Sequence, residues 1–326
     1  MRLKYSVFLG NVGHCFDRYC AEYSKPFSLA ELFERAAEIP QLDAVDLVMD
    51  WDMMARQDEI CALLKKTGLN VGSLAVDTFA NSLYKKGSLS STDPEVRERA
   101  IEDSKRVIDF AAKIGCGIVT LWPGQDGYDY IFAADYIKER QLFSDGVEEL
   151  CRYNSDITIT LEYKIKEPRT HSYISTVGST LLMIEKIGLP NLGIALDYGH
   201  AALGYETAAE SVAMCKMYGD RLKHIHINDN YRLWDDDMIV GTVHSLEYLE
   251  FFYWLKRTGY NGYLVIDQFP YREDGRDAVA ESAEWLDALQ DAADRIDEKE
   301  AEQVLSARDG VAASRFMRKL LFGEKK

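Results

Sequence analysis

The chain has 326 residues, 47% of them hydrophobic, which is enough for one large core with extensions or for two modest domains. Its 38 basic and 54 acidic side chains leave a net charge of −16, a surface that repels phosphate backbones and argues against a nucleic-acid partner in favour of a neutral small molecule. No stretch approaches the roughly 18 apolar residues of a membrane span, so no membrane partner is expected.

Taken in chain order, the N-terminal apolar run is too short for a signal peptide. The six cysteines form no CxxC pair and read as reduced thiols of a cytoplasmic protein. His14, Cys15 and Cys20 read as a turn with packed thiols rather than a zinc site. Apolar runs predict eight strands, at residues 3–9, 44–49, 70–76, 117–122, 156–162, 192–197, 222–228 and 262–267, each followed by a helical pattern. Ser28 with Glu31 forms a capping box ahead of the first helix. Asp93-Pro94 opens the third, with proline at the first helical position. Gly68, Gly115, Gly188, Gly219 and Gly259 fall where helices give way to the next strand. Eight β–α units predict a (β/α)8 TIM barrel over residues 1–295, with a short C-terminal helical extension over 296–326. A doubly wound open sheet is second choice, because no Gly-rich phosphate loop follows the first strand.

Barrels of this kind carry their chemistry at the carboxyl ends of the strands. Strand five ends in Glu162-Tyr163-Lys164 and strand six in Asp197-Tyr198-Gly199-His200. Strand seven reads His224-Ile225-His226-Ile227-Asn228, and strand eight ends in Asp267-Gln268. Strand alternation puts Glu162 with Lys164 on one face and His224, His226 and Asn228 on one face, while Ile159, Ile225 and Ile227 point out to the helices. Three carboxylates and an imidazole converging in the barrel mouth would repel one another without a cation. Taken singly, each has an ordinary structural explanation: a solvated acid, a helix cap at Asp197, a satisfied core histidine. Four on successive strands favour a metal site at Glu162, Asp197, His226 and Asp267. Mixed carboxylate and imidazole ligands suit Mn²⁺, Mg²⁺ or Co²⁺. Asp235-Asp236-Asp237 would alone be a solvated loop. Together with Asp197 and His200, Asp235 and Asp237 would form a second site, hence one or two ions per chain.

This ordered set resembles the xylose isomerase-like barrels, most of all the two-metal sugar isomerases. The resemblance is carried by Leu121-Trp122-Pro123-Gly124-Gln125, Glu162-Tyr163-Lys164, Asp197-Tyr198-Gly199-His200, His226-Ile227-Asn228-Asp229, the Asp235–Asp237 run with Gly241, and Ile266-Asp267-Gln268. The segment from Gly87 to Arg97 adds to it, and the likeness covers roughly residues 1–290. It implies a structural metal on Glu162, Asp197, His226 and Asp267 and a catalytic metal on Asp197, His200, Asp235 and Asp237. It also implies that Lys164 binds the substrate carbonyl oxygen and that Trp122 walls the hydrogen path, with Phe16 a further candidate for that wall. Those isomerases carry a histidine at the end of strand two, where this chain has Asp46-Leu47-Val48-Met49-Asp50. Ring opening would then fall to another group, such as His14, or the substrate is not a cyclic sugar. Ketose 3-epimerases share part of the pattern, including an arginine six residues after the strand-seven histidine, here Arg232, but place a glutamate on strand eight.

The expected activity is therefore aldose–ketose isomerisation of a sugar, with Glu162, Lys164, Asp267 and His14 as catalytic candidates and Trp122, His200, Arg232 and Phe16 as substrate-binding ones. A 3-epimerase is the alternative, and a non-catalytic carbohydrate-binding barrel the reading from another class. Metal-dependent DNA-repair endonucleases of this superfamily need more histidine ligands, for three zinc ions, and a basic face, which six histidines in total and a net charge of −16 argue against. A homo-oligomer is expected, because Leu305, Val311, Phe316, Leu320 and Leu321 make the tail more amphipathic than a free terminus needs.

Overall fold

Eight parallel strands close on themselves: β1 (Lys4–Phe8), β2 (Leu42–Met49), β3 (Asn70–Val76), β4 (Ile118–Leu121), β5 (Thr158–Glu162), β6 (Leu192–Asp197), β7 (Leu222–Ile227) and β8 (Tyr263–Ile266). Each pairs with the next and β8 pairs with β1, so the sheet is a barrel without edges. The structure is a computed structural model and describes residues 2–13, 15, 20, 23 and 25–323.

The strand sequences explain the closure. On every strand the apolar residues at alternate positions face the helices: Tyr5 and Val7, Val45 and Leu47, Leu74 and Val76, Ile159 and Leu161, Ile225 and Ile227 all join the main core. The intervening positions face the barrel axis, where Phe8, Ala75 and Val265 make a small separate apolar cluster. Around it the axis carries polar, fully buried residues: Ser6, Asp46, Ser73, Thr120, Thr160, His224 and His226. A register slip of one residue would exchange these two sets, so the pattern pins the pairing.

Helix ends follow the local chemistry. The Ser28 and Glu31 capping box forms in full. Asp93 caps the helix Pro94–Ile114 through the backbone N–H of Glu95, and that helix stops at Gly115, whose φ of +74° a side chain would resist. Asp197 closes β6 and accepts from the N–H of His200, starting the short helix Tyr198–Leu203 immediately at the strand end. The helix Gly275–Asp294 completes the barrel's outer layer, and the helices Glu298–Ala307 and Gly310–Phe322 follow it. Phe316 and Leu320 lean on the main core.

One element escapes the strand pattern. Gly127–Tyr128 and His171–Ser172 form a two-stranded antiparallel ribbon that ties the loops after β4 and β5 together above the barrel. A Cβ at Gly127 would lie 1.9 Å from the His171 carbonyl oxygen, so only glycine permits the contact. Among the described residues no helix is long and apolar enough to cross a membrane.

Candidate metal and sugar site

Four strand ends deliver their last axial side chains to one point. Glu162 closes β5, Asp197 closes β6, His226 lies next to last on β7, and Asp267 follows β8. One carboxylate oxygen from each acid and one ring nitrogen of His226 all lie within 4.8 Å of one another. His226 Nδ1 stands 3.3 Å from Glu162 Oε1 and 3.7 Å from Asp267 Oδ2. Asn228 donates to Asp197 at 3.2 Å, and Asn11 donates to Asp267 at 3.4 Å. Neither nitrogen of the buried His226 has a hydrogen-bond partner among the described residues. A buried imidazole left in that state is costly. A cation among three carboxylates would satisfy it and cancel their repulsion, so the donor set fits a divalent ion of the Mn²⁺, Mg²⁺ or Co²⁺ type.

The protonation of the cluster follows from crowding without a cation. Burial pushes the Asp267 carboxyl up to about 7; the His226 ring opposes this and the Asp197 and Glu162 charges add to it. Burial also raises Asp197. Burial works against a charged His226, yet Glu162, Asp267 and Asp197 outweigh it and raise the ring to about 10. The same balance raises His200 to about 9, through Asp197 and Asp235. Glu162 ends below its ordinary value: burial opposes its charge, and His226, His200 and Lys164 more than compensate.

Lys164, expected to share its face with Glu162, is 7% exposed and reaches past it. Its Nζ lies 2.7 Å from Asp235 Oδ2, 3.1 Å from Glu167 Oε2 and 5.2 Å from the centre of the Trp122 ring. Asp235 Oδ2 is also 3.1 Å from His200 Nε2, whose Nδ1 faces the Tyr163 carbonyl oxygen at 3.0 Å. Burial disfavours the Asp235 charge, but Lys164 and His200 hold it well below the usual carboxylate range. Asp197, His200, Asp235 and Asp237 are thus near neighbours, but they do not close into a single ligand cluster as the first four residues do. Asp235 is occupied by a lysine and a histidine. Asp237, at φ +47°, is raised well above its ordinary value by burial and by the Asp235 and Asp267 charges.

Next to Asp267, a cavity of about 1130 Å³ is lined by Gln268, Asp235 and Asp237. Phe79, Trp122, Tyr231, Trp234, Phe269 and Tyr271 supply aromatic walls, and Gln125, Glu167, Asp235 and Gln268 supply polar ones. Trp122 packs on Phe79 with ring centres 4.6 Å apart and lies nearly parallel to the His200 ring at 6.5 Å. Aromatic faces interleaved with carboxylates and amides suit a polyhydroxylated ligand.

Arg232 is not drawn to this cavity. It adopts φ +67° and turns outward, donating to both carboxylate oxygens of Glu247 at 2.5 Å and to His244 Nε2 at 3.1 Å. His14 and Phe16 lie outside the described residues. Sequence reading missed Glu167, which holds the second side of Lys164, because it belongs to a loop with no periodicity. It also passed over Asn11, whose donor aims at Asp267, and it placed Asn228 on the face of His224 and His226 without giving it a role; that amide donates to Asp197.

Residues 33–289 match the family described as xylose isomerase-like TIM barrel. The chain is 27% identical over 283 residues to a xylose isomerase from Thermus thermophilus, covering 83% of this chain and 73% of that protein. A solved D-tagatose 3-epimerase-like protein is similar with a TM-score of 0.69 at 22% identity, over 89% of this chain and 99% of its own. A D-allulose 3-epimerase from Methylomonas sp., solved with D-allulose, gives a TM-score of 0.69 at 20% identity, over 88% of this chain and 97% of its own.

Proposed function

This chain belongs to the xylose isomerase-like TIM barrel family, and from that premise we propose that it is a divalent-metal-dependent sugar isomerase interconverting an aldose and a ketose by moving hydrogen between C1 and C2. The observation that carries the proposal is the convergence of Glu162, Asp197, His226 and Asp267 within 4.8 Å, with both His226 nitrogens unpartnered, beside an aromatic-walled cavity lined by Gln268, the neighbour of Asp267. A divalent cation held there supplies Lewis-acid polarisation of neighbouring sugar oxygens. Mn²⁺, or Mg²⁺ or Co²⁺ in its place, is the ion the donor set favours, at one or two per chain; a second would be held by Asp197, His200, Asp235 and Asp237.

The chain's own groups divide the remaining work. Lys164 keeps its proton, because Asp235 and Glu167 flank it, and presents a fixed cation to the oxygen that gains negative charge. Trp122 and Phe79 exclude water on one side of the reacting carbons. If the hydrogen moves as a proton, Asp267 and Glu162 are the carboxylates within reach of the cluster. If it moves as a hydride, no side-chain base is required and the dry aromatic wall matters more.

The ketose 3-epimerase reading is favoured by one feature, the pair of carboxylates Glu162 and Asp267 flanking His226 Nδ1 at 3.3 and 3.7 Å. Two bases on one carbon is what proton exchange at C3 requires. Asp267 is a methylene shorter than a glutamate, which leaves isomerisation as the better reading. A coupled screen of pentoses, hexoses and deoxysugars with added Mn²⁺ distinguishes them. An aldose–ketose product pair supports the isomerase, a C3-inverted ketose the epimerase, and no turnover the non-catalytic barrel. Full activity after exhaustive chelation would overturn the metal assignment. We further propose that the enzyme acts in the cytoplasm as a homo-oligomer, on the strength of its scattered thiols and its apolar C-terminal helices.

A further inference from the structure

The barrel axis one step below the ligand cluster is unusually polar. TIM barrels ordinarily fill this level with branched apolar side chains. Here Asp46 of β2 sits at 0% exposure, where an isolated carboxylate would be costly. It accepts from Ser6 Oγ of β1, from Ser73 Oγ of β3 at 2.5 Å, and faces His224 Nε2 of β7 at 2.8 Å. Ser73 continues to Thr120 at 3.3 Å, and Thr120 to Thr160 at 2.9 Å, so six strands, β2 included, contribute to the chain of contacts around Asp46. The backbone makes room for it: a Cβ on Gly72 would fall 2.3 Å from Asp46 Oδ1.

This network reaches the ligand cluster through one residue. His224 is the axial side chain immediately below His226 on the same strand, and the two rings meet edge to face with centres 5.3 Å apart. A carboxylate oxygen of Asp46 and a ring nitrogen each of His224 and His226 all lie within 4.8 Å of one another. His226 thus belongs to two groups at once, the acids above it and the Asp46–His224 pair below it. On its remaining side Phe8 packs edge to face at 4.9 Å. The acids lie on the Nδ1 side of the ring, and His224, held in turn by Asp46, backs it from below through their edge-to-face ring contact. Ligating histidines are commonly oriented by a carboxylate behind them, and losing such a partner weakens metal binding.

We propose that the buried Asp46–His224 pair, anchored by Ser6 and Ser73, is a positioning pair for His226: it fixes the ring so that one nitrogen faces Glu162, Asp197 and Asp267, and thereby sets the affinity of the site for its cation. The inference rests on the metal reading above and concerns how that site is held, not what it catalyses.

The test measures Mn²⁺ affinity directly, by calorimetric titration of the full chain, with near-ultraviolet circular dichroism reporting the fold. Glu162→Gln establishes the metal site itself. If the wild type binds Mn²⁺ and Glu162→Gln does not, the metal reading stands independently. Asp46→Asn keeps the shape and removes the charge, and affinity should fall about 10- to 100-fold with the fold intact. Ser73→Ala, which removes one of the contacts holding Asp46, should cause a smaller loss in the same direction. Ile225→Val, on the same strand but facing the helices, loosens packing without touching the pair and should leave affinity unchanged. Should Asp46→Asn fail to fold, Ser73→Ala and Ser6→Ala carry the test. Affinity within about twofold of wild type in folded Asp46→Asn, or in both serine variants, overturns the proposal. So does a wild type that binds no Mn²⁺.

Discussion

At the scale of single residues the decisive group is Lys164. It is a buried cation whose partners are Asp235 and Glu167, not the Glu162 two residues before it. Lys164→Met keeps the stem and removes the charge. By analogy with losing an oxyanion donor, kcat should fall by about 100-fold or more with bound metal unchanged. The melting temperature should also fall, since breaking a buried pair leaves Asp235 uncompensated. If kcat survives while only stability drops, Lys164 is a structural counter-ion and the isomerase reading loses its most specific support. The ligand cluster makes a prediction about pH. In the metal-free protein His226 is raised to about 10 and Asp267 to about 7, so both hold protons that a cation must displace. Binding therefore expels protons, and apparent affinity should rise from about pH 6 to about pH 8. Titrations in buffers of different ionisation enthalpy would reveal that release. Affinity that is flat with pH, with no proton release, would contradict the crowded, partly protonated cluster.

At the scale of elements, the loops above the barrel are held by buried polar anchors more than by apolar packing. Asp126 follows β4 and accepts from the backbone N–H groups of Ser88 at 2.9 Å and Ser90 at 2.7 Å, as well as from the Ser88 hydroxyl. It fixes residues 88–90 against the loop that carries Trp122. Asp126→Ala would leave three buried donors unmade, at about 1–3 kcal/mol each. We expect a loss of several degrees in Tm, and a raised KM as the Trp122 wall loosens, with bound metal retained. Unchanged stability would mean that water replaces the carboxylate. The β7 loop follows the same rule. Asp229 and Met238 close it with reciprocal backbone hydrogen bonds, and the Asp229 carboxylate takes the N–H groups of Val243 and His244. That closure presents Asp235 to Lys164 and turns Arg232 out to Glu247.

At the scale of the whole molecule, the C-terminal helices leave a run of apolar side chains exposed. Leu305, Val311, Met317 and Leu321 are all at least 39% exposed, and Phe322 is 81% exposed. The helix Gly310–Phe322 buries no residue completely. It also carries Arg315, Arg318 and Lys319 on a chain whose net charge is −16. Apolar and basic together, it suits the acidic surface of a second copy. Light scattering at micromolar concentration should give at least a dimer, and Val311→Glu with Leu321→Glu should shift it toward monomer. A monomeric mass for the unaltered chain would refute the oligomer.

Much of this was legible before any coordinates. Barrel class and strand positions follow from alternation, because an apolar residue at every second position is the local requirement for a strand that buries one face on helices. Glu162, Asp197, His226 and Asp267 were legible for the same reason: each is a metal-capable side chain at or near the end of such a run, and the fold sends all strand ends to one rim. What lay beyond the sequence is every choice among partners close in space and distant along the chain. Lys164 could have paired with Glu162, and only the path of the β5 and β7 loops gave it Asp235 and Glu167. Asp235 reads as a metal ligand from sequence, and only the fold shows that Lys164 and His200 lie against it. Asp46 read as an unremarkable acid within an apolar strand. Closure of the barrel placed it against His224, 178 residues away, because pairing across the axis depends on strand number and tilt, which no single segment encodes.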